Sequence, residues 1–211
     1  MLKLAVCVSG GGTNLQAIID AIDSGRITNA QIEVVISNNA GAYALERAKN
    51  NGIKGVCISP KDFESREAFN EAFVKELDSY EVDLVVLAGF LVVIPPEMIK
   101  KYPNKIINIH PSLIPAFCGP GYYGIHVHDE AFKRGVKVAG ATIHFVSNEV
   151  DGGPIILQEA IDVSDCDSAK AMQEKVLLNV EHKLLVKALK LYCENKVVVE
   201  DERVKILWKE R

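Results

Sequence analysis

Asn108 and His110 lie two residues apart at the end of an apolar run, and together they could carry out chemistry. Side chains alternate along a strand, so both would lie on the same side if Ile106–Ile109 is a buried strand. A lone buried histidine is usually a structural residue, but an asparagine beside it at the carboxyl end of a strand is much less expected by chance. An amide can donate to an oxyanion and an imidazole can move a proton, so the pair indicates a catalytic site without a nucleophilic serine or cysteine.

A carboxylate further along the chain belongs to the same candidate site. Asp151 lies in the segment Asn148–Pro154, between two predicted strands, and this turn returns over the same edge if those strands pack beside the fifth strand. A carboxylate near an imidazole favours its charged form and raises its pKa, so we expect Asp151 to keep His110 cationic. For Asp151 alone, an Asx turn before Gly152-Gly153 is an equally good interpretation.

A glycine-rich turn, Ser9–Asn14, joins the first predicted strand to the first predicted helix. Ligands collect at this edge of a parallel sheet, and the backbone N–H groups of a helix start bind phosphate. A dinucleotide fingerprint needs a small residue in place of Leu15 and an acid in place of Ser37–Asn39, while a P-loop needs a lysine in place of Asn14. A plain turn with a threonine or asparagine cap is the alternative. The favoured interpretation is a phosphomonoester site formed by Gly12, Thr13 and Asn14.

Two kinds of segment alternate along the first half of the chain and position these residues. Continuous apolar runs are typical of buried parallel strands, and the segments between them have helical spacing. Right-handed crossovers of this length predict a mostly parallel, doubly wound, Rossmann-like α/β sheet. The predicted strands are Leu4–Val8, Ile32–Ile36, Gly55–Ile58, Leu84–Leu87 and Ile106–Ile109.

The pattern changes after His110. Proline and glycine are frequent in residues 111–124, which predicts a long ordered loop. Val138–Val146 and Pro154–Val163 predict an antiparallel pair of strands, and a long helix capped by Ser168 follows. Residues 197–208 predict a terminal hairpin that closes the domain.

The composition limits the class of protein. The 211 residues carry a net charge of -4 and are 48% hydrophobic, which suits one globular domain and argues against a nucleic-acid partner. The longest apolar run, Leu84–Ile94, is too short to span a membrane, and no secretory signal follows Met1. The five cysteines form no CxxC pair, so they indicate neither a disulfide framework nor a zinc site. We expect a cytoplasmic location.

Four motifs together resemble those of the phosphoribosylglycinamide formyltransferase family, whose members are folate-dependent enzymes of purine biosynthesis. The motifs are Ser9–Ala17, Leu87–Phe90, Asn108–Leu113 and His144–Pro154, in order over nearly the whole chain. The resemblance implies the formyltransferase fold and formyl transfer from 10-formyltetrahydrofolate, a cosubstrate used without a metal, to the amine of 5-phosphoribosylglycinamide. We also expect small-molecule substrates, no membrane partner, and a monomer or a homodimer.

The resemblance gives individual residues expected roles. The catalytic set is Asn108, His110 and Asp151. The ribonucleotide contacts are Gly12, Thr13, Asn14 and Glu181. The folate contacts are Arg66, Leu91, Val92, Val93, Ile94 and Asn108. A single domain, residues 1–211, would comprise a nucleotide-binding half, 1–110, and a folate-binding and closing half, 111–211.

The sequence departs from the family pattern in two places. Val92 stands where some members carry an arginine, so a side-chain contact is lost although backbone contacts would survive. The loop Phe117–His128 is longer than the family's short Pro-Gly version, and its contacts cannot be carried over. Within it, His126 and His128 could face one way on a strand and hold a metal ion, but no third ligand is in sight.

Other functions stay open as alternatives. A formyltetrahydrofolate deformylase uses the same residues with water as the acceptor, but carries an extra N-terminal domain, whereas here the first strand begins by Leu4. A methionyl-tRNA formyltransferase needs a basic C-terminal domain. A non-catalytic nucleotide-binding protein would not need the intact polar set, and the glycine turn argues against an NAD-dependent oxidoreductase.

Overall fold

The structure is a computed structural model that describes residues 1–208. The predicted domain end at residue 211 lies outside the described residues. The chain divides into two compact units, Met1–Ile107 and the part that begins at Asn108. Hydrogen bonds order seven strands as β3-β2-β1-β4-β5-β6-β7, which confirms the predicted mostly parallel α/β sheet. The strands are β1 Leu2–Val8, β2 Ala30–Ser37, β3 Lys54–Cys57, β4 Leu84–Leu87, β5 Ile106–His110, β6 Val138–Phe145 and β7 Ile155–Asp162.

The first unit has a parallel arrangement centred on β1, which pairs with β2 on one side and β4 on the other. Leu4–Val8 and Leu84–Val86 are almost completely buried, as their continuous apolar composition predicts for strands covered on both faces. Three long helices and a short one belong to this unit. They are α1 Thr13–Asp23, α2 Tyr43–Asn50, α3 Arg66–Asp78 and α4 Pro96–Lys101.

Aromatic packing fixes α3 in the first unit. Phe69, Phe73 and Phe90 stack with centroid distances of 5.8 and 5.5 Å. Ser65 caps the helix because its hydroxyl accepts a hydrogen bond from the Ala68 N–H. The helix therefore begins at Arg66, a predicted folate contact, in a fixed position.

The second unit contains the antiparallel pair β6 and β7, as predicted. It also contains α5 Ile125–Lys133, α6 Ala169–Val176, α7 His182–Cys193 and the hairpin of β8 Val197–Glu200 with β9 Arg203–Ile206. Ser168 caps α6, which confirms that prediction. The predicted single long helix is interrupted by a π-helical turn at Leu177–Glu181.

The sequence did not predict α5. Residues 111–124 contain no helix or strand, as expected, but a helix begins immediately after Gly124. His126 and His128 therefore lie on a helix, where residues two apart point in nearly opposite directions. The strand geometry assumed for a metal-binding pair is wrong, because His126 is exposed and His128 is buried.

None of the helices within residues 1–208 has the length and apolar character that a membrane crossing requires.

Candidate active site

The glycine turn of the first unit begins α1 without a side-chain cap. Gly12 is the N-cap residue, with a φ of 72°, and there is no side-chain cap hydrogen bond. The alternative of a threonine or asparagine cap is therefore wrong. A Cβ on Gly12 would lie 2.6 Å from the Cβ of Ala44, so the turn approaches α2 too closely for any other residue.

The hydroxyl of Ser9 ties the turn to two neighbouring segments. It donates to the Asn38 side-chain oxygen at 2.5 Å and accepts from the Leu91 N–H at 2.8 Å. The carboxyl ends of β1 and β2 and the segment after β4 are thereby held together. The predicted folate segment consequently begins beside the predicted phosphate turn.

Arg66 lies against the segment predicted to bind the folate. Its Nη2 donates to the Val93 carbonyl oxygen at 2.5 Å, and its guanidinium lies 5.2 Å from the Phe69 ring centroid. Leu91 and Val93 are exposed, Val92 is half-buried and Ile94 is buried. The segment therefore presents exposed apolar side chains next to a fixed cation, which suits an aromatic ligand that carries carboxylates.

Asn108, His110 and Asp151 meet in the second unit. Asp151 Oδ2 is 3.5 Å from His110 Nδ1, and Asp151 Oδ1 accepts from Asn108 Nδ2 at 3.5 Å. The two β5 residues reach the same carboxylate because strand alternation points them the same way. Asp151 itself adopts a φ of 57° in the turn between β6 and β7, a conformation that aspartate tolerates better than most residues.

The long loop after β5 supplies two backbone contacts to this polar set. The Gly119 N–H donates to Asp151 Oδ2 at 2.9 Å. His110 Nε2 lies 2.8 Å from the Phe117 carbonyl oxygen. A carbonyl only accepts, so Nε2 carries the proton and donates it. The other ring nitrogen, Nδ1, is therefore the one that faces the carboxylate.

His144 is a fourth member of the site to which the sequence gave no role. Its Nδ1 donates to the Phe145 carbonyl oxygen at 2.9 Å, so its Nε2 accepts from the Asn108 amide at 3.1 Å. The same Nε2 is 3.6 Å from Asp151 Oδ1. The signal that could have identified His144 is its polar side chain within the buried strand segment Ala141–Phe145, just before the turn that carries Asp151.

Burial controls the charge of His110. It lowers the pKa of His110 below the usual value, and this outweighs the raising effects of the Asp151 carboxylate and the Phe117 carbonyl. The expectation that Asp151 keeps His110 cationic is therefore wrong for the resting site. Burial alone would raise the pKa of Asp151, but His144, His110 and the Gly119 N–H together lower it. The resting pair is a neutral imidazole beside a carboxylate.

Two further buried polar side chains belong to the second unit. Glu181, a predicted nucleotide contact, is 6% exposed and ends the π-helical turn, a feature often found at functional sites. His128 on α5 is 1% exposed, and its Nε2 has no hydrogen-bond partner among the described residues. Within residues 1–208, no group of three or more His, Cys, Asp or Glu side chains is arranged to hold a metal ion.

The formyl transferase family model matches residues 2–189, and the chain belongs to this family. The phosphoribosylglycinamide formyltransferase of Escherichia coli is 40% identical over 175 residues, which is 83% of this chain and 80% of that protein. The human trifunctional purine biosynthetic protein adenosine-3 is 39% identical over 98% of this chain, but the chain spans only 20% of its length. The resemblance inferred from the motifs and the predicted enzyme class, a formyltransferase, are confirmed.

Solved structures share the fold. Glycinamide ribonucleotide transformylase 1 from Symbiobacterium toebii is 43% identical with a TM-score of 0.91, covering 98% of this chain and 94% of that one. A formyltetrahydrofolate deformylase from Pseudomonas syringae is 28% identical with a TM-score of 0.85, covering 97% of this chain and 65% of that one. Transferases and a hydrolase thus use the same architecture.

The buried His128 predicts a loss of stability in acid. Its pKa is lowered from 6.5 to about 4, first by burial and then by His110. The unfolded chain then binds the proton more tightly, so stability is complete above the unfolded pKa and is lost as the pH falls toward the folded pKa. Between pH 7 and pH 4.5 we expect the wild type to lose about 2 kcal/mol more unfolding free energy than His128→Leu. Urea denaturation at both pH values measures this difference.

His126→Leu is the matched control, because His126 lies on the same helix and its side chain is 61% exposed. This variant should follow the wild type. An equal acid response of wild type and His128→Leu would contradict the prediction.

Proposed function

We propose that this chain transfers the formyl group of 10-formyltetrahydrofolate to the amine of 5-phosphoribosylglycinamide, in the purine pathway that leads to IMP. The observation that carries the proposal is the contact of one buried carboxylate, Asp151, with both Asn108 and His110. In a member of the formyl transferase family, this set provides an oxyanion donor and a proton carrier in one place.

Asn108 stabilises the oxyanion in the proposed mechanism. The substrate amine attacks the formyl carbon, a C–N bond forms, and the formyl oxygen becomes an oxyanion. One N–H of Asn108 is directed to His144. The other N–H bonds Asp151 Oδ1 at 3.5 Å in the resting site, the longer of the two contacts, and it is assigned to the oxyanion once the substrates bind.

His110 moves the proton. Because Nε2 donates to Phe117, the proton released by the attacking amine goes to Nδ1, and Asp151 stabilises the imidazolium that results. The same proton then passes to the folate nitrogen as the bond between that nitrogen and the formyl carbon breaks. The products are formylated glycinamide ribonucleotide and tetrahydrofolate. A neutral resting His110 suits this cycle, since it begins as a proton acceptor.

The remaining assigned residues bind the two substrates. The start of α1, at Gly12, Thr13 and Asn14, is assigned to the ribonucleotide phosphate, and Glu181 to another group of the same nucleotide. Arg66 and the backbone of Leu91–Ile94 are assigned to the folate, with Val92 adding no cation. Asn108 is assigned to the formyl group that the folate carries.

The proposal includes the organisation and setting of the protein. Residues 1–110 are proposed as a nucleotide-binding half, which also carries the assigned folate contacts Arg66 and Leu91–Ile94, and residues 111–211 as a folate-binding and closing half. The folate is a cosubstrate used without a metal, and the partners are small molecules rather than nucleic acid or membrane. A monomer or homodimer in the cytoplasm is expected, and the net charge of -4 argues against a nucleic-acid partner.

Hydrolysis of the formylfolate is the second candidate function, because a deformylase shares the fold. The test is to incubate the protein with 10-formyltetrahydrofolate, with and without glycinamide ribonucleotide, and to follow loss of the formyl group. Loss that depends on the amine supports the transferase. Loss without the amine identifies a hydrolase, and no loss in either sample identifies a non-catalytic nucleotide-binding protein.

Removal of either proton-handling group should abolish most of the activity. His110→Ala removes the proton carrier, and Asp151→Asn removes the charge that stabilises the imidazolium. We expect each to lower kcat at least about a hundredfold, with the affinity for ribose 5-phosphate changed less than about twofold. Steady-state kinetics and calorimetry measure the two effects. His126→Ala is the control, and near-wild-type turnover by either catalytic variant would remove these assignments.

Obstruction of the glycine turn should affect one substrate only. Gly12→Val brings a side chain against Ala44 and forces a residue of positive φ out of its conformation, so the turn must move. We expect KM for the ribonucleotide to rise at least about tenfold and KM for the folate to change little. The control is Gly41→Ala, whose Cβ would be 3.5 Å from its nearest neighbour, an ordinary contact. Equal changes in both constants would mean that the turn is misassigned.

A further inference from the structure

Three successive carbonyl groups of the glycine turn accept hydrogen bonds, two of them from α2 and one from α1. The Gly10 oxygen accepts from the Ala44 N–H at 3.1 Å, and the Gly12 oxygen accepts from the Gln16 N–H at 2.9 Å. The Gly11 oxygen lies between them and accepts from a side chain, the Nε of Arg47, at 2.8 Å. One arginine of α2 therefore completes a row of three bonded carbonyls.

This arrangement fixes the direction of the backbone N–H groups. A trans peptide is planar, and its N–H points opposite to its C=O. With the Gly11 carbonyl directed at Arg47, the N–H of Gly12 points away from α2. The N–H groups of Gly11 and Gly12 have no acceptor among the described residues. Successive N–H groups of this kind form a concavity that binds anions.

The Arg47 guanidinium is also fixed by two further side chains, Gln16 and Tyr43. Its Nη1 donates to Gln16 Oε1 at 3.0 Å, and its guanidinium lies 5.0 Å from the Tyr43 ring centroid. The cation thus joins α1, the turn and α2 in one geometry. A lysine has a single rotatable ammonium and cannot bond Gly11 and Gln16 in this fork.

We propose that Arg47 is a positioning residue for the phosphate of the ribonucleotide substrate: it orients the Gly11-Gly12 peptide so that the Gly12 N–H faces the anion, and it places a positive charge on the opposite side of that peptide. The inference rests on the proposed function, which assigns the phosphate to this turn. Arg47 bonds to the turn and not to the substrate, so its effect is on ribonucleotide affinity. Proton transfer by His110 and binding of the folate do not involve it.

The test compares three variants. Arg47→Met removes the fork and the charge, Arg47→Lys keeps only the charge, and Lys49→Met removes a charge from the exposed side of the same helix. Charge-assisted hydrogen bonds of this type predict that Arg47→Met raises KM for glycinamide ribonucleotide about tenfold or more. KM for the folate and kcat should stay within about twofold. Arg47→Lys should lose affinity to an intermediate extent, and Lys49→Met should match the wild type.

Calorimetry tests the inference without catalysis, because it measures the binding affinity for ribose 5-phosphate and, as the phosphate-free probe, for ribose. Arg47→Met should weaken ribose 5-phosphate binding by the same factor as KM. Unchanged affinity, or an equal rise in both KM values together with a lower kcat, would overturn the role. If Arg47→Met does not fold, Arg47→Lys and Gln16→Met, which removes one acceptor of the fork, decide by the same binding measurement. A wild type that binds ribose 5-phosphate but transfers no formyl group refutes the proposed function alone.

Discussion

A single buried carboxylate organises the chemistry of the second unit. Asp151 lies within 3.6 Å of Asn108, His110 and His144, and it also accepts the Gly119 N–H. A carboxylate in such surroundings is costly unless its lone pairs are satisfied, and here the Asn108 amide and the Gly119 N–H donate to it while the two imidazoles lie beside it. Their positions are consequently set by one charge, and loss of that charge would leave all four without a common partner.

Three separate segments must be correct for this charge to be satisfied. β5 provides two side chains on one face, β6 provides His144, and the loop after β5 provides backbone groups at Phe117 and Gly119. The candidate site of the first unit is organised differently. The glycine turn offers backbone groups rather than side chains, and it packs against α2. One site is organised by charge and the other by close backbone packing.

Local sequence rules predicted the parts of the fold that depend on periodicity. Continuous apolar runs located the strands of the first unit, and strand alternation joined Asn108 to His110. The rules failed where the answer depends on distant packing. The pKa of His110 depends on its burial and on Asp151 and His144, which are distant in the sequence. The helix α5 follows a loop rich in proline and glycine, and these residues obscure its start. Arg47 escaped notice because its only signal is a contact with a turn 36 residues earlier.

The π-helical turn at Leu177–Glu181 has a consequence for how the last long helix can change. A π turn holds one residue more than an α turn, and each residue advances a helix by about 100°. The turn therefore absorbs one residue, and the apolar residues of α6 and α7 are all buried although they would be out of phase in one continuous α-helix; they are Met172 and Val176 on α6 and Leu184, Leu185 and Ala188 on α7. Deleting one residue of the turn would make the helix regular and leave both apolar stripes on the core side. Closing the turn into α-helix without a deletion would rotate the α7 stripe by about 100° out of the core, so the packing on both sides of the turn maintains the irregularity.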